Sequence, residues 1–126
     1  MWKIDTSYRE KLQPTYDRLY EKKAVLKEAR PLPQIALQKI KEALSLEWTY
    51  NSNSIEGNTL TLQETQLVLQ EGITIKGKLL REHFEAKNHE LALDHLYSLV
   101  HQDYVLNVRD ILDLHHYVLR SIEEDH

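Results

Sequence analysis

The sequence contains no cysteine, which removes disulfide frameworks, thiolate zinc sites and any cysteine nucleophile from consideration. The same absence suits a reducing compartment, and a cytoplasmic location is the expectation. Glycine and proline number three each in 126 residues. That is too few for turn-dense β sandwiches and barrels, so the balance points to helices. No apolar run approaches the roughly 20 residues that a membrane-spanning helix needs. Met1-Trp2-Lys3-Ile4-Asp5 opens polar, without the apolar stretch of a secretory signal. No membrane partner is expected.

What is present is ordinary for a folded chain: 41% hydrophobic and 29% charged residues rule out disorder throughout. The length suits one domain of average size. Net charge is −4, unevenly spread: residues 1–30 hold eight Lys/Arg against five Asp/Glu, and residues 31–126 hold eight against fifteen. A nucleic-acid binder shows a concentrated basic face, and most of this chain is acidic. No nucleic-acid partner is expected.

Tyr8, Leu12, Tyr16, Leu19 and Leu26 recur at helical spacing. Pro14 fits a first helical turn, which predicts a helix from about 14 to 29, broken by Arg30-Pro31-Leu32-Pro33. Leu37, Ile40, Leu44 and Trp48 predict a second helix from Gln34 that stops near Gly57-Asn58. Thr61-Leu62-Gln63-Glu64 is a capping box opening a short helix through about Glu71. The Gly72–Lys78 stretch reads as a loop or tiny β segment. Residues 79–100 form the longest helical pattern, apolar at Phe84, Leu91, Leu96 and Leu99, widened by Ala92, Leu93 and Val100. Asn107 caps a last helix carrying Val108, Ile111, Leu112, Val118, Leu119 and Ile122. The expected fold class is all-α, a helical bundle.

Seven histidines invite a metal reading, but no His-Glu-x-x-His or paired Glu-x-x-His motif is present. No metal ligand is assigned. His115 falls in the middle of the last helix's apolar stripe and reads as a core histidine. His83, His89, His95 and His101 read as exposed or partly exposed. No Gly-x-Ser-x-Gly elbow points to a triad, and glycines 57, 72 and 77 stand too far apart to cradle phosphate. No catalytic residue is assigned.

One segment stands out. Ser52 and Glu56 lie four apart at a helix end, one turn from each other on one face, with Gly57-Asn58 following. The plain reading is a solvated carboxylate, a C-cap and a turn. A carboxylate in the last turn opposes the helix dipole, so something other than helix stability can be keeping it there.

Ser52-x-x-x-Glu56-Gly57 resembles the inhibitory motif of Fic-domain proteins: a Ser or Thr, three residues, then Glu and Gly or Asn. Ser54 to Leu62 resembles that family's run from the inhibitory helix into the first Fic helix. Ile73 to Leu79 resembles its connector, and Glu85-Ala-Lys-Asn88-His89 and Asp110 to Leu119 resemble its next two helices. The resemblance covers about residues 46–122. It implies an N-terminal helical extension over 1–45, an inhibitory helix segment over 46–60, and the first helices of a truncated Fic domain over 61–126.

The family implied is one of protein adenylyltransferases, which move AMP from ATP onto a protein hydroxyl with Mg²⁺. Its catalytic His-Pro-Phe-x-x-Gly-Asn-Gly-Arg loop has no counterpart here: the only Phe is Phe84, and the only Gly-Asn pair is Gly57-Asn58. The resemblance therefore carries over inhibitory residues alone. Glu56 would pair with the arginine that ends the catalytic loop, and Ser52 would hydrogen-bond within the same contact. ATP and Mg²⁺ would belong to the full-length parent, with none held by this chain. The implied partners are the catalytic half of the same Fic domain, a protein substrate in the parent, and a second copy through apolar faces left uncovered. Two other readings stand beside it: a stand-alone helical antitoxin acting in trans on a Fic toxin, and a helical interaction module without nucleotide chemistry.

Overall fold

The computed structural model describes residues 6–101 and 103–122. The start at Met1–Asp5 and the terminal Glu124-Asp125-His126 lie outside the described residues. Five α-helices follow in order: α1 Thr6–Glu28, α2 Gln34–Ile55, α3 Leu62–Gln66, α4 Leu80–Leu99 and α5 Val108–Leu119. A π-helical turn, Leu67–Glu71, continues α3. Among the described residues there is no strand, and the fold is all-α. Among the described residues no helix is long and apolar enough to cross a membrane. The chain divides into two compact units, one up to Leu37 and one from Gln38.

In the first unit α1 starts at Thr6, eight residues earlier than the position of Pro14 predicts. Proline is tolerated inside because only the Glu10 carbonyl loses its helical donor. Gln13 Nε2 donates to Asp17 Oδ1 across it at 2.8 Å. Arg30 precedes a proline, a position that disfavours further helix, and the helix closes with amide bonds from Ala29 to the Val25 carbonyl and from Arg30 to that of Lys27.

The second unit is built on α4, which packs against α5 and the π-helical turn. Its core gathers Leu60, Val68 and Ala86, with Leu69 and Ile75 packed on them. The buried face of α4 is Glu82, His83, Ala86, Asn88, Ala92 and Leu93. The apolar pattern predicted this face only in part: Ala92 and Leu93 are buried as expected, but Leu91 is 42% exposed, Phe84 37% and Val100 69%. Small alanines let neighbours approach closely, and the polar members of this face bring their own hydrogen bonds, so size and polarity alone misplace it. Asn88 Nδ2, for example, donates to the carbonyls of Val118 (3.1 Å) and Arg120 (2.6 Å), satisfying the open end of α5.

Two histidine expectations are corrected. His115 is exposed, because α5 turns Asp110 inward and leaves Val108, Ile111 and Leu112 outside. His83 is buried. The Ile75 amide donates to its Nε2 at 2.8 Å, which leaves the ring proton on Nδ1 to donate to the Leu79 carbonyl at 2.8 Å. His83 thus threads the 72–79 loop onto α4.

Candidate functional site

α2 lies along α4 through a fully buried Thr49, whose hydroxyl meets His89 Nδ1 at 2.8 Å. Trp48 sets its ring edge against the same imidazole at 6.3 Å. Burial lowers the His89 pKa from its ordinary value of 6.5. Nearer the surface Lys41 Nζ reaches Asp94 Oδ1 at 3.4 Å and stands 4.8 Å over the Tyr97 ring. These contacts fix the direction in which the C-terminal end of α2 points.

α2 ends at Ile55, and the chain turns through Glu56 and Gly57. The Glu56 amide donates to the Asn53 carbonyl, the Gly57 amide to that of Ser54, and the Asn58 amide again to Asn53, at 3.0–3.1 Å. Gly57 takes φ +97°, a left-handed conformation that a side chain rarely adopts. Ser52 is half-buried, whereas Glu56 is exposed. Among the described residues the Glu56 side chain makes no hydrogen bond or ion pair. The three sequence-predicted site residues therefore lie close together, Ser52 in the last turn of α2 and Glu56 and Gly57 in the turn that follows it.

Immediately beyond, polar groups pull the chain onto α4. Asn58, buried, donates from Nδ2 to the Glu82 carbonyl (3.1 Å) and to Glu85 Oε2 (2.8 Å) and accepts from the Leu60 amide (3.0 Å). Thr59 donates to Glu82 Oε1 from its amide at 2.6 Å and from its hydroxyl at 2.7 Å. The Leu79 amide donates to Glu82 Oε2 at 2.9 Å. These bonds hold the Glu82 pKa below the ordinary 4.5, the Thr59 hydroxyl foremost, against the opposing effect of burial. Lys78 Nζ reaches the Thr59 carbonyl at 2.6 Å and Glu64 Oε2 at 3.7 Å. The Thr61 capping box is formed in both directions, as the sequence predicts.

No family model matches the chain. It is 33% identical to the protein adenylyltransferase Fic of Drosophila willistoni over 88 residues, 70% of this chain and 18% of that protein. A Fic domain containing signaling protein from Bacteroides thetaiotaomicron superposes with a TM-score of 0.73 at 32% identity, over 82% of this chain and 38% of that one. Fic-1 of C. elegans (residues 134–508) gives 0.66 at 29% identity, over 90% and 37%. The chain belongs to the Fic family.

It spans about a fifth of the curated Fic relative's length and under two-fifths of each solved Fic chain. Among the described residues no group of three or more His, Asp or Glu gathers as metal ligands, and the glycines at 57, 72 and 77 sit in separate turns at positive φ. The Fic resemblance led to Ser52, Glu56 and Gly57 but passed over Asn58, Thr59 and Glu82. Their one sequence signal is Glu82 itself, three residues after Leu79, where a carboxylate can reach back to the amide that opens α4.

Proposed function

We propose that this chain is the N-terminal, self-inhibiting part of a Fic-family protein adenylyltransferase, which in its full length moves AMP from ATP onto a protein hydroxyl. The observation that carries the reading is the exposed Glu56 carboxylate, without a partner among the described residues, set on a turn whose far side is hydrogen-bonded to α4. By the family resemblance its partner is the arginine that ends the catalytic loop and otherwise grips the γ-phosphate. A carboxylate held there repels the phosphate by like charge and occupies its guanidinium. Ser52, one turn earlier, would brace the same contact. The early Fic helices at 61–122 favour this reading over a stand-alone antitoxin, which needs only the inhibitory helix. The catalytic half of the domain, a protein substrate and a second copy are the partners this reading supplies, and the cytoplasm is its compartment.

The test is transfer of labelled AMP, to itself and to target proteins, by the longer protein that carries this chain together with the catalytic loop. Glu56→Gly should transfer fastest, followed by Glu56→Asp, which keeps the charge but shortens its reach. Ser52→Ala should come third, having lost one neutral hydrogen bond of about 0.5–1.5 kcal/mol, with the parent slowest. The 126-residue chain alone should label nothing. An unchanged rate in Glu56→Gly overturns the reading.

A further inference from the structure

We infer that Glu82, at the start of α4, is the positioning residue for the Glu56 carboxylate, so that the strength of inhibition is set by a side chain 26 positions further along the chain. The inference rests on the reading of Glu56 given under Proposed function.

A glutamate at the third position of a helix has one local task, accepting from the amide of the capping residue. Glu82 Oε2 performs it with Leu79. Its other oxygen has no local task. It takes both donors of Thr59, at 2.6 and 2.7 Å, from 23 residues upstream and three residues past Glu56. Asn58 holds the first turns of α4 through the Glu82 carbonyl and Glu85, while its own amide closes back onto Asn53. Glu56 therefore sits inside a loop shut at Asn53 and Asn58 and fastened at Thr59. Its direction follows from where α4 begins. Glu82 is buried and accepts three donors, so the fastening resists thermal opening more than an exposed ion pair would.

Glu82→Gln keeps the shape and replaces one acceptor oxygen with an NH₂ group. That group must then face either the Leu79 amide or the two Thr59 donors, donor against donor. The turn carrying Glu56 loosens while its carboxylate remains.

Two measurements test this. In the 126-residue chain, amide hydrogen exchange at Glu56, Gly57, Asn58 and Thr59 should quicken in Glu82→Gln by about tenfold more than exchange at Ala92 and Leu93, which report the change in global stability. In the longer protein, Glu82→Gln should raise AMP transfer by about tenfold, and by nothing further in a Glu56→Gly background. If Glu56→Gly raises transfer and Glu82→Gln does not, the inference falls and the reading of Glu56 stands. Equal loss of transfer in both backgrounds also overturns it, since that marks a purely structural role. If Glu56→Gly itself changes nothing, the reading falls, and unchanged exchange at residues 56–59 would remove the positioning claim separately. Should Glu82→Gln fail to fold, Thr59→Val serves in its place. It removes the hydroxyl's bond to Glu82 and the 3.2 Å bond it accepts from Lys78 Nζ, at an exposed position, and should raise transfer about threefold, an unchanged rate again overturning the inference.

Discussion

The end of α2 and the start of α4 each carry a glutamate, and the two are treated in opposite ways. Glu82 stands in the first turn of a helix, where the macrodipole favours a carboxylate, and it is buried with three donors around it. Glu56 stands just past the last turn of a helix, where the macrodipole opposes it, and it is exposed with no side-chain partner among the described residues. One carboxylate is used up by the fold. The other is held out against local preference by the structure the first supports. That contrast separates a stabilising charge from one that the fold leaves exposed, as the proposed inhibitory role requires.

The largest expected effect breaks the contrast at its exposed end. Glu56→Gly should raise AMP transfer in the longer protein by an order of magnitude or more, the size expected when a charge-assisted pair of about 1.5–3 kcal/mol is lost. Its cost to folding should stay within about 0.5 kcal/mol, as for surface positions in general. Denaturant unfolding of the 126-residue chain measures the second half.

At the buried end the signs reverse. Glu82→Gln should destabilise the chain by about 1–3 kcal/mol, because donors that it satisfied are left facing one another. Denaturant midpoints of Glu56→Gly and Glu82→Gln, taken together, should separate clearly. Equal midpoints would show that the two carboxylates are not distinguished by burial.

Acid sharpens the comparison next. The folded pKa of Glu82 is depressed, so its contribution is fully present above the ordinary value of 4.5 and is lost as pH falls through the folded value. Glu64, held down chiefly by the Thr61 backbone amide, titrates in the same window. The informative quantity is therefore the difference between parent and Glu82→Gln. The parent should lose more stability on acidification below 4.5, and the two curves should converge. Above that window, from pH 6.5 downward, the unfolded chain takes up a proton that half-buried His89 resists, which destabilises parent and variant alike.

Local signals were legible in the sequence. The Thr61 capping box, the Asn107 cap and the stops at Gly57 and Gly72 all form where the residues predict, because each depends on neighbours within four positions. Long-range features were not. Pro14 marks a helix start only if nothing upstream is helical, and α1 begins at Thr6. The inward face of α4 depends on what packs there, so Ala86 is fully buried while Leu91 is not. At the site, Ser52, Glu56 and Gly57 were found through a family pattern. The clasp of Asn58 and Thr59 on Glu82 spans 23 to 24 residues and has no periodicity to announce it.

Histidine repeats the comparison on a smaller scale, and the smallest effect is expected there. His115 lies in the middle of an apolar stripe, which predicts a buried ring whose loss would cost about 1–3 kcal/mol. The stripe itself is not buried: Ile111 is 60% exposed and Leu112 56%, and His115 is exposed with them. His83, on a helix face with a weaker apolar pattern, is the ring that joins two backbone groups. His115→Ala should therefore change the stability of the 126-residue chain by no more than about 0.5 kcal/mol, with no loss of helical signal. Unfolding in urea at two protein concentrations, about a hundredfold apart, makes the check complete, because linkage to self-association shifts the midpoint with concentration. A small change at both concentrations confirms an open α5 face. A loss above about 1 kcal/mol that appears only at the higher concentration would mean that a second copy covers the stripe, and that His115 is buried in the assembly although it is exposed in the single chain.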